Sequence, residues 1–253
     1  MDRRTFITGA LAALPAGLLG SQLFAFQGRK RVKLQFCMLE LGQNWNKRKR
    51  ALVQLGFEIQ KRCNIPIESD VYSCKPNGVA EVHSPFFILS GDTSFETPGQ
   101  EDAGRLRLVL NAGGMLLIDD FSPKGETGFY DSAKALMRRV YPEAGGSAVV
   151  PVDHALYQSY YLLKEPRGRL NRKNYLEGWS IGNRTTTLFS HNDLLGALEA
   201  DRLGNWQHNM ELGGGFRREL CFRLGINLTY YALTLNYKKD RAFPPVIERR
   251  RRL

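Results

Sequence analysis

The chain has 253 residues, of which 43% are hydrophobic and 24% charged, with a formal charge of +11. That length and apolar content bury a sizeable core and favour one large domain, which argues against a pair of small ones. Much of the positive excess sits in short runs, "RKRVK" at 29–33, "KRKR" at 47–50 and "RRRR" at 249–252; such blocks read first as solvated faces or tails, and second as attraction to an anionic membrane surface or cell-wall polymer.

The amino terminus, "MDRRTFITGALAALPAGLLGSQLFAFQ", sets Arg3 and Arg4 before an apolar run from Phe6 to Phe24. This is the order of a charged region and a hydrophobic region in a signal peptide, and the adjacent arginines followed by Thr5 and Phe6 point to twin-arginine export. Residues 1–25 are therefore expected to be a signal, 26–240 a single α/β domain and 241–253 a basic tail, with the domain periplasmic or extracytoplasmic. An uncleaved run would instead anchor the chain in the membrane, although Pro15, Ser21 and Gln22 interrupt it. For an exported protein no nucleic-acid partner is expected.

"VKLQFCML" at 32–39 reads as the first strand of the domain. The loop "ELGQNW" follows, with Trp45 as a candidate binding residue, and Asn46 is placed to cap a helix whose apolar residues Leu52, Leu55, Ile59 and Cys63 recur at helical steps. A second strand is expected near 65–71. "FFILS" at 86–90 has the continuous apolar run of a strand covered on both faces. Thr97, Pro98 and Gln100 have the order of a capping box with proline at the first helical position, predicting a helix to about Asn111. Gly113 and Gly114 end that helix and turn the chain into the strand "MLLID". Strand, helix, strand at this spacing is the crossover unit that makes strands parallel. Beyond it, "FYDSAKALMRRV" reads as a helix, "YLEGWSI" and "TTTLFS" as strands joined by "GNR", and "FRRELCFRLGINLTYYALTL" as a long helix with Leu220, Leu224, Leu228, Tyr231 and Leu235 on one stripe despite Gly225.

Cys37, Cys63, Cys74 and Cys221 have neither a CxxC spacing nor a zinc pattern. In an oxidising compartment Cys63 and Cys74 either form a disulfide or stay buried and free, while Cys37 reads as core.

In an open parallel sheet the ligand crevice lies at the carboxyl ends of the strands. Asp119 and Asp120 end one predicted strand, and Ser90, Gly91 and Asp92 end another, so the acids are expected on one rim. Each aspartate has a plain alternative as an acceptor of backbone N–H bonds. "PVDHALYQSYY" adds Asp153 and His154, the latter either a hydrogen-bonded structural residue or a base for Asp119 or Asp120. "GNRTTTLFSHNDL" adds Arg184, Ser190, His191, Asn192 and Asp193. Arg184 is either solvated or the cation for the Asp pair, and Asn192 or Asp193 is suited to cap a following helix. No HExxH, Walker loop, GxSxG or GxCxG motif occurs, and no metal or cofactor is expected.

Five segments carry a family resemblance in order: "GQNWNKRKRALVQLGFEIQKRCNIPI", "FFILSGDTSFETPGQEDAGRLRLVLNAGGMLLIDDF", "VPVDHALYQSYYLL", "LEGWSIGNRTTTLFSHNDL" and "RRELCFRLGINLTYYALT". Together they resemble the bacterial domain-of-unknown-function 4159 family over about Val32 to Leu235. That family is similar to the class I glutamine amidotransferase-like fold, so the resemblance implies a flavodoxin-like three-layer α/β sandwich with a mostly parallel central sheet. It places Asp119 and Asp120 at the turn where amidotransferases carry a cysteine nucleophile, and Gly91, Asp92 and Thr93 where the family commonly has Gly-His-Gly. Thiolate glutaminase activity is accordingly not expected. Three readings follow: a non-catalytic module for a small ligand or an envelope protein, with Asp92, Trp45, Arg184, Asn192 and Asp193 in the crevice; a hydrolase or carbohydrate-acting enzyme using Asp119 or Asp120 with His154; and an envelope scaffold docking by its basic runs.

Overall fold

A computed structural model describes residues 33–123 and 127–234. The signal segment at 1–25, nearly all of the basic run at 29–33, and the tail at 241–253 lie outside the described residues.

In chain order the elements are β1 (Phe36–Leu39), α1 (Lys49–Cys63), β2 (Tyr72–Cys74), β3 (Phe86–Gly91), α2 (Gln100–Asn111), β4 (Met115–Asp120), α3 (Thr127–Val140), β5 (Ala148–Val149), β6 (Glu177–Ile181), β7 (Arg184–Ser190), α4 (Leu194–Leu198) and α5 (Gly214–Thr234). They build one seven-stranded sheet in the order β2-β1-β3-β4-β7-β6-β5. The pairs β1–β2, β1–β3, β3–β4 and β4–β7 are parallel, and β6 and β5 extend the β7 edge antiparallel.

Helices cover both faces, which explains the unbroken apolar runs of β3 and β4. On one face Phe36, Met38, Phe86, Ile88, Met115 and Leu117 pack against residues of α1, α4 and α5. On the other Cys37, Leu39, Phe87, Leu89, Leu116 and Ile118 pack against residues of α2 and α3. This alternation makes the molecule a flavodoxin-like three-layer sandwich, as the family resemblance implies. Gly225 lies where α5 crosses α1: a Cβ there would stand 2.8 Å from Leu55 Cδ1, so the glycine permits the close approach. Gly91 ends β3 beneath Phe129, and a methyl at that position would overlap the ring. Gly91→Ala is accordingly expected to cost about 1–3 kcal/mol of stability by overpacking, measured by urea denaturation.

Several local expectations are corrected by tertiary contacts. Helix α1 is capped at Arg48 rather than Asn46, and no side chain closes the cap; Asn46 instead offers its carbonyl to Lys49 N–H in the preceding turn. Helix α2 begins at Gln100 after Gly99, with no side-chain cap, because Thr97 and Pro98 are held outside the helix by Arg139 of α3, which donates to both carbonyls. The second strand forms at Tyr72–Cys74, and Ile67 makes only a single bridge to Leu34. Of the two alternatives for Cys63 and Cys74, the structure has the free thiols, and all four cysteines are free. Cys63 packs on the α1/α5 side and Cys74 on the α2 side of the sheet; Cys74 Sγ lies 3.4 Å from Cys37 Sγ instead.

Candidate functional site

The connection from β1 runs through α1 on one face of the sheet, and that from β3 through α2 on the other. The carboxyl ends of β1 and β3 therefore flank a topological switch point, where two diverging loops leave a crevice. The β1 loop supplies Asn44 and Lys47 and the β3 loop supplies Asp92. Asn44 Nδ2 donates to Asp92 Oδ1 at 2.7 Å, and Lys47 Nζ stands 3.6 Å from Asp92 Oδ2. Asn44 and Asp92 are half-buried and Lys47 is exposed, so this polar trio lies at the switch point and is in part open to solvent.

Adjacent on the rim, β3 and β4 are paired in register, with Ser90 opposite Asp119 and Gly91 opposite Asp120. The acids thus share one rim, as expected, but their environments differ. Asp119 is fully buried, and its two oxygens accept the Leu194 and Leu195 N–H groups at 2.9 and 2.8 Å. It therefore satisfies the first amides of α4, groups that no intrahelical carbonyl can reach. Burial, and then the neighbouring Asp193 charge, push its carboxyl up to about 7, against the pull of those N–H bonds. Asp120 points to the opposite face, accepts the Ser122 N–H at 2.8 Å and the Ser122 hydroxyl, and has Arg172 Nη1 3.7 Å away.

Asp193 is the N-cap of α4, accepting Gly196 N–H at 2.9 Å. Its own φ of 49° is a left-handed conformation that Asp tolerates better than most residues. Arg48 grips it bidentately, Nε at 3.1 Å and Nη2 at 2.9 Å, and Arg169 adds a further bond. Arg48 also reaches Glu199 at 3.1 Å and His208, and lies over the Phe121 ring. One residue of the "KRKR" run is thus a buried anchor, while Lys47, Lys49 and Arg50 are exposed. Asn192 is buried and receives the Arg172 and Lys173 N–H groups at 2.9 and 3.0 Å, which ties the preceding loop to the rim.

The remaining candidates lie elsewhere. Trp45 packs on the apolar layer of α1, α4 and α5. Arg184, at the amino end of β7, donates to Asn111 O at 3.0 Å and is not the partner of the Asp pair; Arg172 and, for Asp193, Arg48 and Arg169 take that place. His154 caps a short 3-10 helix, its Nδ1 accepting Leu156 N–H at 3.1 Å and its Nε2 lying 3.1 Å from Thr185 Oγ1. Thr185 precedes Ser190 by five residues on β7, about 16 Å along the strand. His154 therefore lines a cavity of about 600 Å³ with Val150, Pro151, Gly178 and Ser180 at the far end of β7, and the structure does not bring it to Asp119 or Asp120.

The histidine at the acidic rim is His191, the residue that follows β7. Its Nε2 bonds Glu177 Oε1 at 2.8 Å. The signal was present in the sequence: a histidine directly after the apolar run "TTTLFS" occupies the same strand-end position as the Asp doublet after "MLLI".

Comparison with known families gives one finding. The family described as "Domain of unknown function (DUF4159)" matches residues 31–233, and no curated protein matches the chain.

Proposed function

We propose, for a chain that belongs to the DUF4159 family, an exported ligand-binding or interaction module whose ligand enters the crevice at the β1/β3 switch point. The observation that carries this reading is the division of labour among the rim acids. Asp119 and Asp193 are completely buried and engaged by backbone amides and arginines, whereas Asp92, Asn44 and Lys47 form a polar trio at the switch point that is in part open to solvent. Catalysis by the Asp pair with His154 is not proposed, because the two lie at opposite ends of β7. Nor is thiolate chemistry: Cys221 is buried, and burial pushes its thiol up to about 12. The twin-arginine pattern supports export, which disfavours nucleic acid, and the exposed basic side chains beside the rim favour an anionic ligand or envelope partner.

Thermal-shift screening with sugars and soluble cell-wall fragments tests the reading. A ligand at one hundred times its Kd adds about 2.7 kcal/mol to the unfolding free energy. That gain is expected to disappear in Asn44→Ala/Asp92→Ala, whose own stability should change by only about 1 kcal/mol because the trio is partly solvated. Equal protection of parent and variant places the ligand elsewhere and overturns the assignment.

A further inference from the structure

His191 is held in one orientation. Glu177, buried beneath it, accepts its Nε2–H at 2.8 Å, the Tyr130 hydroxyl at 2.8 and 3.0 Å and the Ser147 hydroxyl at 2.6 Å. Burial raises the Glu177 carboxyl, but the His191, Ser147 and Tyr130 bonds outweigh it and hold the group down to about 2. An ionised carboxylate only accepts, so Nε2 carries the hydrogen and Nδ1 turns away from Glu177. Among the described residues, the buried side-chain atoms without a partner are Ser90 Oγ and Thr187 Oγ1. The His191 ring bonds described residues through Nε2, and the side chain keeps 12% exposure.

Phe189, Tyr130 and Tyr175 hold the ring at centroid distances of 4.7, 5.3 and 6.0 Å. Each tyrosine carries a lysine over its own ring, Lys134 at 5.0 Å from Tyr130 and Lys173 at 5.8 Å from Tyr175. Neither ammonium has an acidic partner among the described residues. Arg172, bonded to the His191 and Ser122 carbonyls and near Asp120, adds a third positive group. Glu177 and Asp120 keep their negative charges while bonded, so three cations stand against two anions and the surroundings of the ring carry a net positive charge.

We infer that His191, Lys134 and Lys173 form a binding site for a small oxyanion, a phosphate or carboxylate group. The lysines supply charge, and Nδ1 supplies one directional hydrogen bond whose proton is carried by the imidazole or by the anion. Glu177 acts as a positioning residue that fixes which nitrogen faces the ligand. The site lies at the end of β7, two strands from the end of β3, about 10 Å from the Asp92 trio.

Inorganic phosphate and acetate are the probes, titrated into the folded chain while the imidazole nitrogens of His191 are followed by NMR and assigned with His191→Gln. A saturable shift of the Nδ1 resonance is expected with at least one anion, and the stronger of the two identifies the class. Lys134→Met/Lys173→Met, one change at a half-buried and one at an exposed position, is expected to weaken binding about tenfold. Glu177→Gln is expected to give a mixture of ring tautomers together with weaker binding. Asn44→Ala/Asp92→Ala should bind the anion as the parent does, which separates this site from the crevice of the preceding section. No shift at His191, undiminished binding by the double lysine variant, or loss of binding in the Asn44/Asp92 variant each overturns the inference.

Discussion

Replacing Arg48 by Met is expected to lower the unfolding free energy by about 3–5 kcal/mol, the largest effect of any single change proposed for this protein. Arg48 has 8% side-chain exposure and Asp193 has none, so the substitution leaves a buried carboxylate with only Arg169 as its remaining cation. It also removes the Nη1 contacts to Glu199 and His208 and the guanidinium from the Phe121 ring, 4.6 Å away. Because native domains are stable by about 5–15 kcal/mol, the urea midpoint should fall steeply. The partner control is Arg48→Met/Asp193→Asn. With the stranded charge neutralised, the double variant should lose less than the sum of the two single changes, a coupling of about 0.5–3 kcal/mol. Strict additivity would mean that Arg48 acts by packing alone.

The second large effect is a pH dependence centred on Asp119. The folded chain keeps this proton up to about pH 7, whereas an unfolded Asp releases it near pH 4. The native state therefore binds the extra proton between those values. The stability linked to the group is fully present below about pH 4, declines as pH rises, and is lost above about pH 7. The full span is about 4 kcal/mol. Asp119→Asn abolishes the titration. It also sets an amide NH2 against one of the two α4 N–H groups, leaving a buried donor unsatisfied at a cost of about 1–3 kcal/mol. The variant should thus be weaker than the parent at the acid end, below about pH 4, and the parent's curve should fall to meet and cross the flatter curve of the variant before about pH 8, because a span of about 4 kcal/mol exceeds that cost. Urea midpoints across that range measure the slopes, and parallel curves would show that Asp119 is not the titrating group.

The same two residues show how much of the site was legible in advance. That Asp119 and Asp120 would stand on the carboxyl rim next to Ser90 and Gly91 followed from strand length and the crossover spacing, and the register confirms it. That Asn192 or Asp193 would cap a helix followed from residue type, and Asp193 is the one that does. What each acid bonds did not follow. Asp119 is 75 positions from the Leu194 amide it satisfies, and Arg48 is 145 positions from Asp193; no local pattern encodes such pairings. Arg48 misleads in particular, because a run of four basic residues signals a solvated face, and only the approach of α4 gives one of them a buried partner. His154 misleads in the opposite direction. Its place before an apolar segment suggested docking at the crevice, and it does dock, but at the other end of β7.

The order of apolar runs, glycine stops and crossover lengths by itself determined the layered α/β fold, the parallel pairing of the central strands and the rim on which the acids lie, because these depend on period and connection length, which are local properties of a chain. Only the tertiary structure decided which rim acids are sealed beneath α4, which arginine is buried, that Cys63 and Cys74 face opposite layers, and that His191 rather than His154 stands beside the acids. Those outcomes depend on which side chains meet across the sheet, and desolvation and pairing act on groups brought together by folding however far apart they stand in sequence.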